Sequence, residues 1–64
     1  MMTVFKKWFS DPSGNRLLIE VIHTDAYHVY LDGELQATVH DTHAWILRVA
    51  NLIRSHGLTD IKSA

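Results

Sequence analysis

Apolar and polar residues alternate along the first forty positions and then switch to a helical period. Arg16–His23 is the clearest alternating stretch, with Leu17, Ile19 and Val21 on one face and Leu18, Glu20 and Ile22 on the other. Thr3–Phe9, Tyr27–Tyr30 and Glu34–His40 are rich in β-branched and aromatic residues, and they predict three more strands. Lys6 and Lys7 are adjacent, so each face of the first strand carries a lysine and its inward face is not given by alternation. From Trp45 onward, Trp45, Ile46, Val49, Ala50, Leu52 and Ile53 fill one arc at 100° per residue. Arg48, Asn51, Arg54 and Ser55 fill the other side, with Leu47 stranded among them.

The punctuation agrees with these elements. Asp11-Pro12-Ser13-Gly14 suits a type I turn between the first two strands. Asp41 is the best N-cap for a helix over about 42–56, and Gly57 followed by Leu58 suits its C-terminal cap. The tail Thr59–Ala64 is short, polar apart from Ile61, and expected to fray. The reading is a single α+β domain: an antiparallel β-meander of three to four strands, with one C-terminal amphipathic helix packed on one sheet face.

Parity then sets the register. A loop of Thr24-Asp25-Ala26 pairs Val21 with Val29, Ile22 with His28 and Glu20 with Tyr30. For the next hairpin, a loop of Leu31-Asp32-Gly33 with a glycine bulge pairs Val29 with Leu35, Tyr27 with Ala37, Tyr30 with Glu34 and His28 with Gln36. A two-residue Asp32-Gly33 loop would place Tyr30 opposite Leu35, mixing core and surface positions on one face. The inner face is therefore expected to hold Leu17, Ile19, Val21, Tyr27, Val29, Leu35, Ala37 and Val39. The outer face is expected to hold Leu18, Glu20, Ile22, His28, Tyr30, Glu34, Gln36, Thr38 and His40, joined by Trp8 with Val4 or by Phe5 with Phe9.

That outer face changes the picture, because a solvated sheet face normally carries few large apolar groups. Leu18, Ile22 and Tyr30 with His28, and Trp8 at the side, form an apolar island with a polar rim of Glu20, Glu34 and Gln36, the usual form of an association surface. The chain has only 64 residues and no cysteine, so no disulfide supports it, and self-association would supply the missing stabilisation. The expected function is a small non-enzymatic interaction module or regulator. Its partner would be a second copy, forming a homodimer, or a larger protein.

Charge and candidate chemistry add less. The formal net charge of −1 carries no signature of nucleic-acid binding. The rival expectation rests on the basic and aromatic group Lys6, Lys7, Trp8 and Arg16, in which Trp8 could stack on a base. In the order of its elements the chain is similar to integrase arm and plant AP2-type DNA-binding domains, although no motif is shared. Such readers place arginines along the sheet, where this chain places Glu20, Glu34 and Gln36. His40 and His43 have H-x-x-H spacing and are the candidate metal ligands, but four-ligand zinc sites usually draw on cysteines, which are missing here. Of the histidines, His28 on the outer face is the one placed to couple assembly to pH, but the expectation is that it is simply solvated. Ser10, Ser13, Ser55 and Ser63 lack the setting of an activated nucleophile, so no catalytic residue and no cofactor are expected. The N-terminal residues have no signal-peptide pattern, no run is long enough to span a bilayer, and a cytoplasmic location is the expectation.

Overall fold

The computed structural model describes residues 1–61, so the expectation of a frayed tail lies outside the described residues for 62–64. Five antiparallel strands and one helix follow each other as β1 (Met2–Ser10), β2 (Arg16–His23), β3 (Tyr27–Leu31), β4 (Glu34–Val39), α1 (Thr42–Ser55) and β5 (Thr59–Asp60). The sheet order is β4-β3-β2-β1-β5. The α+β reading holds: a meander forms the sheet, and α1 packs on one face of it, closest to β3 and β4.

The local chemistry explains each junction. The β1–β2 turn closes with the Gly14 amide donating to the Asp11 carbonyl at 3.0 Å, while the Asp11 carboxylate accepts from the amides of Ser13 and Asn15 at 2.9 and 2.8 Å. Asp41 caps α1 by accepting from the Ala44 amide at 2.8 Å. Asp41→Ala should lower stability by about 0.5–2 kcal/mol, read as a shift in the urea midpoint with little change in slope. At the other end the Leu58 amide donates to the Ile53 carbonyl and the Gly57 amide to the Arg54 carbonyl, the two bonds of a Schellman motif. Gly57 has φ +63, and a Cβ there would lie 3.0 Å from Cγ of Pro12, so both conformation and space call for glycine.

β2 is the central strand and supplies the middle of the core. Ile19, Val21 and Val29 are fully buried, and Phe9, Leu31, Val49 and Leu58 complete the cluster. The expected β2–β3 register is present: Val21 is opposite Val29, Ile22 opposite His28, and Glu20 opposite Tyr30. On β1, a bulge between Thr3 and Phe5 turns both Val4 and Phe5 toward the core, so Trp8 reaches the outer face without Val4. Phe5 and Tyr27 pack their rings against Trp45, at centroid distances of 6.0 and 6.2 Å.

Two expectations are corrected. The β3–β4 loop is the two-residue Asp32-Gly33, with φ of +51 and +83, so Val29 pairs with Ala37, Tyr30 with Leu35, Leu31 with Glu34, Tyr27 with Val39 and His28 with Thr38. The left-handed pair matches the twist of the strands, and the odd residue is absorbed by a register shift beside Val29 and Tyr30 instead of by the loop. Leu31 therefore belongs to β3 and enters the core, while Leu35 faces out at 52% exposure. Glu34 is consequently opposite buried Leu31, and Gln36 lines a cleft with the α1 residues Arg48 and Asn51, so neither rims the outer face. The second correction is β5. Thr59 and Asp60, placed in the fraying tail, pair with Ser10 and Phe9 of β1.

Candidate interaction surface

The sheet face turned away from α1 is built from cross-strand rows, beginning with Ser10 opposite Arg16. Trp8 is opposite Leu18. Lys6, Glu20, Tyr30 and Leu35 form the next row, and Thr3, Ile22, His28 and Thr38 the last. The expected site residues Leu18, Ile22, His28, Tyr30 and Trp8 thus share one face. They do not form one continuous island, because Glu20 lies among Leu18, Ile22 and Tyr30. Leu18, Ile22 and Tyr30 are half-buried, while Trp8 is 45% exposed. Leu35 is the member that the loop assignment concealed.

The charged groups at this face are ordered by local contacts. The Arg16 guanidinium lies 5.8 Å from the centre of the Trp8 ring, a cation–π distance. Lys6 is on the outer face opposite Glu20, whereas Lys7 is on the inner side and binds the Asp60 carboxylate at 2.8 Å. The basic group read from the sequence is therefore divided between the two faces: Lys6, Trp8 and Arg16 outside, Lys7 inside.

His28 is held at both ring nitrogens. The Thr24 hydroxyl donates to the Asp25 carboxylate at 2.8 Å, which leaves its oxygen to accept from His28 Nε2 at 3.1 Å. His28 Nδ1 lies 3.2 Å from the Thr38 hydroxyl, which donates to it when the ring is neutral. The Asp25 carboxyl titrates below its ordinary 3.8, chiefly because the Thr24 hydroxyl hydrogen-bonds its charged form, with its own backbone amide and His28 adding to the effect.

His40 lies in the bend just after β4 and His43 in the first turn of α1, both exposed. Among the described residues no three His, Cys, Asp or Glu side chains are grouped to hold an ion, and the H-x-x-H spacing alone does not make such a group. No helix among them is long and apolar enough to cross a membrane.

A second apolar feature lies on the opposite side of the sheet. Between α1 and β1 runs an open groove of about 460 Å³, bounded by Phe5 and Phe9 below and by Ile46, Val49 and Ile53 above. The helical arc predicts these helix positions as core. However, α1 sits toward β3 and β4, and Ile46 is left 47% exposed. A comparison of the chain with protein-family models, curated proteins and solved structures finds no match.

Proposed function

We propose that this chain is a small, non-enzymatic interaction module that self-associates as a homodimer through the outer sheet face. The observation that carries the reading is the placement of Trp8, Leu18, Ile22, Tyr30 and Leu35 on the one sheet face that α1 does not cover. Burial of these groups supplies the affinity, and Lys6, Glu20 and Arg16 supply charged contacts that fix the relative orientation. The cysteine-free composition fits a reducing, cytoplasmic setting.

Light scattering across a concentration series tests the proposal. The mass should rise from the 7.3 kDa of one chain toward twice that value. Ile22→Asp and Tyr30→Asp should each abolish the rise while the far-ultraviolet signal of α1 persists, because each puts a charge into the buried patch. A single-chain mass at every concentration, or mutants that associate like the parent, would sink the dimer.

The rival reading is nucleic-acid binding by Lys6, Trp8 and Arg16, favoured by their common face and by the Arg16–Trp8 stack. A DNA and RNA titration at two salt concentrations separates the two, since phosphate contacts weaken steeply with salt.

A further inference from the structure

We propose that the open edge of β1, with the groove beside it, takes an extended segment of a partner protein in which acidic residues alternate with apolar ones. Such a segment would add itself to the sheet as a strand next to β1.

Three observations converge on this edge. β1 pairs with β2 along its whole length, but on its other side β5 meets only Phe9 and Ser10. From Met2 to Trp8 the main-chain groups of that side have no strand partner among the described residues, which is the condition for strand addition. The mainly apolar groove opens on the inner side of the same stretch, floored by Phe5 and Phe9 and walled by Ile46 and Ile53, with the Lys7–Asp60 ion pair also in its lining. Inward side chains of an added strand would enter it.

The charge pattern selects the partner. Met2–Trp8 contains Lys6 and Lys7 and no acidic residue, in a chain whose formal net charge is −1. β5 already displays the recognition on this rail: Asp60, on the strand position beside β1, holds Lys7 at 2.8 Å. Lys6, on the outer face, would meet a carboxylate from the incoming strand. Pleating puts alternate residues of that strand on opposite faces, so acidic side chains go out toward Lys6 and apolar ones go into the groove. A second copy of β1 would instead bring further lysines to an edge that already has two. At the other edge of the sheet, β4 borders a smaller cleft of about 120 Å³ with Arg48, Asn51 and Ser55 in its lining.

The test is a titration of the whole chain, followed by amide chemical shifts, with a blocked seven-residue peptide of alternating valine and glutamate. Its control is the same peptide with lysine in place of glutamate. Binding should shift the amides of Val4–Trp8, and the lysine peptide should bind roughly tenfold more weakly, because like charges then oppose across the strands. Lys6→Glu should weaken the valine–glutamate peptide by about threefold or more, as expected for one exposed ion pair. Ile46→Asp should weaken it further by placing a charge in the groove. Both substitutions change exposed side chains, so the helix signal should be unaltered. Equal binding of the two peptides, shifts confined to β4, or no binding at millimolar peptide would each overturn the proposal. Tyr30→Asp should leave peptide binding intact, so this result and that for the outer face can fail separately.

Discussion

Ile19→Ala is expected to shift the urea midpoint of unfolding sharply downward. Ile19 has no exposed surface and lies in the middle strand, opposite Lys7 of β1 and Leu31 of β3. Truncating a buried isoleucine costs about 2–5 kcal/mol, including the cavity left behind. A domain of 64 residues has a total stability of about 3–10 kcal/mol, at 0.05–0.15 kcal/mol per residue. With no disulfide to limit the unfolded chain, the loss is a large share of the whole. Urea denaturation followed by circular dichroism measures it directly. Leu18→Ala, one residue away on the outer face, is the control and should cost about 1 kcal/mol or less. A larger loss at Leu18 than at Ile19 would mean that the pleat of β2 is reversed.

Leu31 and Leu35 give the second large contrast. Leu31 is 8% exposed within the core cluster, whereas Leu35 is 52% exposed on the outer face. Leu31→Ala should therefore cost about 2–4 kcal/mol, and Leu35→Ala about 0.5 kcal/mol or less in the isolated chain. The pair reports the β3–β4 register, because a three-residue loop would bury Leu35 and release Leu31. At concentrations where the chain self-associates, Leu35→Ala should weaken association more than it weakens folding.

The features that sequence made legible are those where independent signals coincide. The faces of β2 follow from strict alternation, and the β2–β3 register follows from matching Val21 to Val29. The ends of α1 follow from Asp41, Gly57 and Leu58, each of which makes its capping contact. The β3–β4 hairpin was ambiguous because parity counts residues and does not see a bulge. The backbone preference of Asp32-Gly33 for a tight left-handed turn outweighed the side-chain match of Val29 with Leu35. On β1 the adjacent lysines and the bulge at Val4 erased the alternation. β5 is two polar residues long and carries no periodic signal at all. For the site, the helical wheel gave the apolar arc of α1 but not its lateral position over the sheet, so the groove beside Ile46 had no signature in the chain.

The contact between Gly57 and Pro12 has a further consequence. The cap that follows α1 lies against the turn that joins the first two strands, where a Cβ on Gly57 would be only 3.0 Å from Cγ of Pro12. Whatever loosens that turn also removes the seat from under the last residues that enter the sheet, and the reverse holds as well. The opening hairpin and the closing strand are thereby tied into one cooperative unit, although they come from opposite ends of the chain.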